Sequence, residues 1–276
     1  MATAPKPTTA KKEKSSGSSI FASLTIVICI IIGICLWKFV MGNPANFEGG
    51  DVEKGHPLPG NYFGMVYRGG VIVPMLMGMF LMVIVFSIER FFVISKAAGV
   101  GNVEKFVKKV QGFLASGNIE GAMAECDKQK GSVANVIKSG LKKYREVEAD
   151  GTLDNDQASL AIQKDIEEAT ALEMPMLEQN LTIIATLVSI GTLTGLLGTV
   201  TGMIKSFSAL ATSGAPDQAQ LANGISEALI NTATGIATST VAIIMYNIFT
   251  SKIDKLTYSI DEAGFSIVQT YASTHK

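Results

Sequence analysis

The chain has 276 residues, a formal net charge of −1 and 17% charged residues. Soluble domains average about 25% charged residues, so the composition indicates a chain that lies partly in a membrane. The balanced charge argues against nucleic acid as a partner. Two histidines, and three cysteines without metal-ligand spacing, leave little for hydrolytic, zinc or disulfide chemistry. We therefore expect no enzyme, no cofactor and no metal site.

The amino-terminal part predicts a tail followed by a membrane anchor. Residues 1–19 are basic and of low complexity, and we expect a disordered cytoplasmic tail. Residues 20–41 are apolar over a length that crosses about 30 Å of hydrocarbon. A signal peptide is the alternative, but the apolar run is too long and no clean small-residue cleavage site follows. We predict an uncleaved transmembrane helix with Trp37 and Lys38 at its interface.

The next three segments alternate between loop, membrane and helical domain. Residues 42–70 are rich in Gly, Pro and Asn, which predicts a loop without a core. Residues 71–94 read as a second transmembrane helix, and we expect the adjacent Glu89 and Arg90 to form an interfacial pair. Residues 95–180 show helical spacing of apolar side chains, which predicts a helical cytoplasmic domain.

From about Asn155 the helical pattern runs without a stop signal towards the third apolar span. Pro175 is the one break, and we predict a kink near Glu173–Met174 in a helix that continues from cytoplasm into membrane. The remaining predicted segments are a third transmembrane helix, a periplasmic turn, a fourth transmembrane helix and a cytoplasmic tail, at 181–207, 208–220, 221–250 and 251–276.

The distribution of Lys and Arg predicts the topology. Eleven lie between residues 95 and 180, two between 42 and 69, and none between 208 and 222. The positive-inside rule therefore places both termini and the 95–180 domain in the cytoplasm. The expected fold class is an all-α integral membrane protein with four transmembrane helices and a helical cytoplasmic domain, its long helices continuing from membrane into cytoplasm.

The third span carries two sets of small or polar residues. Four glycines recur at spacings of four, three and four: Gly191, Gly195, Gly198 and Gly202. Such a ridge predicts close helix packing. Three hydroxyl residues recur every seventh position and so share a helix face: Thr192, Thr199 and Ser206. One interpretation is that this line of hydroxyls has a function. The alternative is that each hydroxyl only hydrogen bonds to a backbone carbonyl of its own helix.

The fourth span carries a polar stripe. Its members fall at i, i+4, i+7 and i+11: Glu227, Asn231, Thr234 and Thr238. A polar stripe in a membrane must face protein or water, which makes these residues candidates for a pore lining. Glu227 could bind protons, or it could be a solvated interfacial carboxylate. Lys205 either extends to the surface or pairs with Glu227.

Two ordered motifs resemble a known family. GLLGTVTGMIKSF (195–207) and GISEALINTATGI (224–236), followed by Tyr246 and Asn247, are similar to the MotA/TolQ/ExbB proton channel family, most closely to ExbB. The resemblance implies a subunit of the bacterial inner membrane that forms a homopentamer around ExbD-like helices. Such a complex uses the proton motive force to energise a TonB-like protein, and through it TonB-dependent transport across the outer membrane.

Carried over by motif, the proton pathway is Thr199, Glu227 and Thr232. The resemblance also implies that the main proton-binding aspartate belongs to the ExbD-like partner, which leaves Glu227 as wall and gate. Thr232 lies about 140° from Glu227 on a helical wheel, outside the predicted stripe. Gly191 and Thr192 replace the family's Ala-Pro, and the first span is extra to the three-span ExbB layout.

Three alternatives stay open. A TolQ-like subunit would serve envelope maintenance. A MotA-like subunit would be a motility stator, and these also have four spans, although they lack the GISEAL-type motif. A solute transporter would be expected to show internal repeats, and the four spans display none.

Overall fold

The computed structural model describes residues 15–52, 55–212 and 218–275. Most of the described residues lie in helices. These are α1 Ser15–Cys35, α2 Tyr62–Tyr67, α3 Ile72–Ala98, α4 Val103–Ala115, α5 Ile119–Gln129, α6 Gly131–Asp150, α7 Asn155–Glu178, α8 Leu181–Thr212 and α9 Gln218–Thr274. Within the described ranges, extended pairing is limited to an isolated bridge between Phe47 and Pro57. The all-α prediction is confirmed.

Four stretches contain a helix that is long and apolar enough to cross a membrane. They are Ile20–Met41, Ile72–Ala115, Asn155–Ser208 and Leu221–Thr274. Residues 1–14 of the predicted tail lie outside the described residues. The rest of that predicted tail is helical, because α1 begins at Ser15. Residues 213–217 of the turn predicted over 208–220 also lie outside the described residues. The predicted tail 251–276 is helical, because α9 continues to Thr274.

The predicted continuous helix from Asn155 into the third span is interrupted. Helix α7 continues through Pro175 and ends at Glu178, so the proline is not where the helix stops. The break falls at Gln179 and Asn180, and Asn180 has a φ of 63°. Asparagine tolerates this left-handed conformation better than most residues, which explains why the chain turns there and not at the proline.

A buried arginine contacts the end of α7 next to this break. Arg90 of α3 is 2% exposed, and its guanidinium donates to the carbonyl oxygens of Met176 and Leu177 at 3.1 and 3.2 Å. These carbonyls belong to the last turn of α7, where no intrahelical donor is available. Glu89 pairs with Arg90 and accepts a hydrogen bond from Asn180 at 3.4 Å. The expected interfacial pair is therefore enclosed by protein on the arginine side.

The chain divides into two units, and three helices contribute to both. The first unit contains Met1–Val85 and Thr186–Ala242. In it α1 crosses α3 closely, since a Cβ on Gly33 would lie 2.7 Å from the carbonyl oxygen of Pro74 and 2.8 Å from the amide nitrogen of Gly78. The extra first helix thus packs on the second through paired glycines.

The 42–70 segment has a small aromatic cluster, where the composition predicted a loop without a core. The rings of Trp37 and Tyr67 stack with centroids 4.6 Å apart, and Phe47 meets Tyr67 edge-on at 5.6 Å. Phe47 is 3% exposed. Stacked aromatic rings bury large apolar areas with few residues, which is why so short a segment forms a cluster.

The second unit contains Phe86–Ala185 and Ile243–Lys276. Its core includes side chains of α4, α5, α6, α7 and the last part of α9. Ile137, Ile162 and Ile267 are each at most 1% exposed. Tyr144 of α6 meets Tyr271 of α9 edge-on, with ring centroids 4.9 Å apart. Burial of these side chains along one face of each helix stabilises the unit.

Candidate functional site

Helices α8 and α9 approach each other along the glycine ridge. A Cβ on Gly195 would lie 3.0 Å from the carbonyl oxygen of Asn231, and one on Gly202 would lie 2.9 Å from that of Gly224. Gly235 of α9 makes an equally close approach to α8, since a Cβ there would lie 2.8 Å from the Cα of Gly195. A Cβ on Gly191 or Gly198 would first meet a side chain, that of Ser239 or Asn231. Glycine therefore sets the helix separation.

The hydroxyl line of α8 points into this interface. Thr192 Oγ1 donates to Ser239 Oγ at 2.8 Å. One heptad later, the hydroxyls of Thr199 and Thr232 hydrogen bond to each other. After another heptad, Ser206 donates to its own helix at Gly202 and lies 3.5 Å from the carbonyl oxygen of Leu221. Each of the three hydroxyl residues of this line thus lies against α9.

The Thr199 and Thr232 hydroxyls can hydrogen bond in more than one donor arrangement. Both Oγ1 atoms also lie 3.3 Å from the carbonyl oxygen of Gly195. Each hydroxyl has one proton to donate and two lone pairs to accept with. Either threonine can therefore donate to the carbonyl while the other donates to it, and the hydrogen-bond direction can reverse without displacement of a heavy atom.

Glu227 lies near the start of α9 and pairs with Lys205 of α8, whose Nζ is 2.7 Å from Oε1. The side chain of Glu227 is 16% exposed and that of Lys205 is 59% exposed. Of the two alternatives for the lysine, the ion pair is the one present. The carboxylate also touches Gly70, in the turn before α3.

Two of the three other stripe residues are enclosed by protein. Asn231 and Thr238 are fully buried. The hydroxyls of Thr234 and Thr238 donate to carbonyl oxygens one turn earlier in α9, at 2.8 and 2.9 Å. Asn231 differs, because neither atom of its amide has a hydrogen-bond partner among the described residues. The stripe thus combines locally satisfied hydroxyls with an unsatisfied amide.

Sequence reasoning missed three members of this interface. Ser239 partners Thr192, and Gly224 and Gly235 allow the close approach from the α9 side. Their signal in the sequence is the repetition of small residues in α9 at spacings of eleven and four from Gly224. A search for two facing small-residue ridges would have found them.

The polar groups of the site are hydroxyls, one amide and the carboxylate that pairs with Lys205. In the part of the chain that the structure describes, no group of three His, Cys, Asp or Glu side chains could hold a metal ion.

Beside Thr199, the outer surface of α8 carries an apolar groove of about 480 Å³ lined by Leu196, Val200, Met203, Ile204 and Phe207.

Comparison with known proteins shows that these residues are similar to one family. The sequence profile of the MotA/TolQ/ExbB proton channel family matches residues 128–262. The Tol-Pal system protein TolQ of Pseudomonas aeruginosa is 33% identical over 124 residues, which is 45% of this chain and 54% of that protein. An ExbB-like biopolymer transport protein of Synechocystis is 35% identical over 88 residues, 31% of this chain and 42% of that protein.

The biopolymer transport protein ExbB of Salmonella typhimurium is 33% identical over 85 residues, 31% of this chain and 35% of that protein. The chain thus spans about half, or less, of the length of these curated relatives. The matched profile covers all of α8 and most of α9, where the hydroxyl line and Glu227 lie. With four apolar helices, the chain is a multi-pass membrane protein. Over residues 128–262, just under half of its length, it matches the MotA/TolQ/ExbB proton channel family.

Proposed function

We propose that this chain is an ExbB-like scaffold subunit of a proton-channel motor in the bacterial inner membrane. In this proposal α8 and α9 form the pore wall, and Thr199, Thr232 and Glu227 are its polar points. The observation that carries the proposal is the Thr199–Thr232 hydroxyl pair, which is reversible in direction and lies between two helices apolar enough to cross a membrane. Thr192, Asn231, Thr234 and Thr238 are secondary members.

The proposed topology has four transmembrane helices with both termini and the 95–180 domain in the cytoplasm. The segments are a tail at 1–19, a periplasmic loop at 42–70 and a periplasmic turn at 208–220. The Lys and Arg distribution supports this orientation. In this topology Glu227 and Lys205 lie towards the periplasmic side and the α7–α8 break towards the cytoplasmic side.

The proposed assembly is a homopentamer in membrane lipid that surrounds ExbD-like helices and acts on a TonB-like protein. Support comes from the exposed apolar side of α8, where Leu196, Val200 and Ile204 are each at least 49% exposed beside Thr199. An apolar groove of this kind fits a single transmembrane helix of a partner that brings its own carboxylate. In this assembly the partner carboxylate carries the proton, and Glu227 forms part of the wall.

A TolQ-like role in envelope maintenance is the second candidate, favoured by the 124-residue match to TolQ. The two roles share the channel and differ in the protein that is energised. Deletion of the chain separates them. Loss of energy-dependent uptake with an intact envelope supports the ExbB-like role, leakage of periplasmic proteins supports the TolQ-like role, and loss of motility alone supports a MotA-like stator.

The central experiment is purification of the full-length chain with its native partners, followed by native mass spectrometry and a transport assay. We expect a pentamer together with a smaller single-span protein, and we expect Glu227→Ala to abolish energy-dependent uptake. Lys38→Met, a change at an exposed residue of the first span, is the matched control. A stable monomer would contradict the ring, and normal uptake by Glu227→Ala would remove Glu227 from the mechanism.

A further inference from the structure

The Lys205–Glu227 pair links the end of α8 to the start of α9. The two residues are separated by 22 positions in sequence, and Lys205 Nζ lies 2.7 Å from Glu227 Oε1. The carboxylate is shielded by protein, while the lysine reaches it from the open side. A lysine that only extended to the interface would keep its ammonium in water and would need no carboxylate partner.

The carboxylate also lies close to the glycine turn that precedes α3. Gly70 has a φ of +79°, and a Cβ there would lie 2.8 Å from Glu227 Cδ. One turn along α9, Ile230 Cγ2 lies 2.9 Å from the Cβ position of Gly69. The Gly69–Gly70 turn precedes α3, and a helix amino terminus favours a neighbouring carboxylate. Glu227 is thus held between a cation on one helix and a glycine turn before another.

This arrangement lies at one end of the hydroxyl line. Thr199 is six residues before Lys205 in α8, and Thr232 is five residues after Glu227 in α9. At about 1.5 Å per residue, the ion pair is therefore about 8–9 Å along the helix axes from the hydroxyl pair. A proton that moves between the hydroxyl pair and that end of the helices passes the ion pair.

We infer that Lys205 is a positioning residue that holds the Glu227 carboxylate at the end of the hydroxyl line. This inference rests on the proposed proton-channel function and adds to it a role for Lys205 in positioning the Glu227 carboxylate. Lys205 acts through Glu227: it fixes where the carboxylate sits, and removal of the ammonium leaves the carboxylate free to change rotamer.

The test measures proton flux in native membrane vesicles that contain the full complex, with vesicles from a deletion strain as the baseline. We expect Lys205→Met to lower the flux by at least about fivefold, and Lys205→Arg to recover most of what is lost. In a Glu227→Gln background, Lys205→Met should cause no further loss, because the group on which it acts is gone. Lys38→Met, which removes an exposed lysine near the end of the first span, should match wild type.

Three outcomes would overturn the inference. The first is wild-type flux in Lys205→Met with low flux in Glu227→Gln, which leaves the proposed channel in place and removes the lysine. The second is equal loss in Lys205→Met and Lys205→Arg together with a lower amount of complex by native mass spectrometry, which shows a purely structural role. The third is an additive loss of proton flux in the double variant Lys205→Met/Glu227→Gln. Normal flux in both Glu227→Gln and Thr199→Val contradicts the proposed function itself.

A proximity measurement covers the case in which the lysine variants fail to assemble. In the double variant Lys205→Cys/Glu227→Cys, a short bifunctional thiol reagent should join the two positions in intact membranes. The matched control pairs Lys205→Cys with Leu229→Cys, two residues along α9 and on its exposed side. Cross-linking of the control alone would contradict the ion pair and with it the inference.

Discussion

The hydroxyl of Thr199 in α8 hydrogen bonds to the hydroxyl of Thr232 in α9, and both lie 3.3 Å from the carbonyl oxygen of Gly195. Thr232 was outside the stripe that helical periodicity predicts for α9. The interface brings the two threonines together because Gly195 and Gly235 let the helices approach. The pair is therefore a product of close packing as well as of residue type.

Removal of either hydroxyl of this pair should interrupt the relay. Thr199→Val and Thr232→Val keep the shape and delete the proton donor, and we expect proton flux to fall by roughly tenfold or more. Thr199→Ser should recover most of the flux, since it restores the hydroxyl. Thr201→Val and Thr240→Val are the controls on the same helices, because their hydroxyls bond to carbonyls of their own helix. Unchanged flux in both pair variants would contradict the relay.

Gly235 should tolerate no larger side chain. A Cβ there would lie 2.6 Å from the carbonyl oxygen of Gly191, and backbone atoms cannot move aside as a flexible side chain can. We expect Gly235→Ala to lower the unfolding free energy by about 1–3 kcal/mol. Gly112→Ala in α4 is the control: its Cβ meets nothing within 4 Å, and we expect a small gain from better helix propensity. Thermal unfolding in detergent measures both.

Arg90 should be more important for stability than its position beside Glu89 suggests. Arg90→Met leaves the Met176 and Leu177 carbonyls without their donor and Glu89 without its cation, and we expect a loss of about 2–4 kcal/mol. The comparison is Arg145→Met, which breaks an exposed pair with Glu120 and should cost at most about 1 kcal/mol. Equal effects of the two changes would show that burial of Arg90 is energetically unimportant.

Asn231 should be replaceable by an apolar residue without loss of stability. It is fully buried, and its amide has no hydrogen-bond partner among the described residues, which costs about 1–3 kcal/mol for an unsatisfied group. Leucine has the same branching and the same number of side-chain heavy atoms as asparagine, so we expect Asn231→Leu to give equal or higher thermal stability of the purified chain. Asn180→Leu should instead destabilise, because it removes a hydrogen bond to Glu89 and a residue suited to positive φ. A marked loss in Asn231→Leu would indicate a partner for this amide in the assembled complex.

Cys126 should be unreactive in the folded protein. Burial in α5 raises the pKa of its thiol to about 12, so about one thiol in 10⁴ is ionised at pH 8. The raised pKa also means that this thiol favours the folded state below about pH 9, and that this contribution is lost as the pH rises towards 12. We expect slow labelling by iodoacetamide that accelerates on unfolding. Lys128→Cys, exposed on the same helix, should react fast, and equal rates would contradict the burial of Cys126.

Properties that depend on neighbouring positions in the chain could be predicted from the sequence. The four apolar runs, the glycine spacing of α8 and the heptad of Thr192, Thr199 and Ser206 all follow from composition and from 3.6 residues per turn. These patterns establish the all-α fold class and the shared faces, because side-chain direction along a single helix is a local property.

The tertiary structure decided which faces meet and where the helices stop. It joined Thr199 to Thr232, Lys205 to Glu227 and Arg90 to the end of α7. These partners lie 22 to 87 positions apart. Periodicity fixes neither the rotation of a helix about its axis nor its crossing with another, since these depend on packing between distant segments. The Asn180 break depends likewise on a buried arginine that supplies donors to the α7 carbonyls.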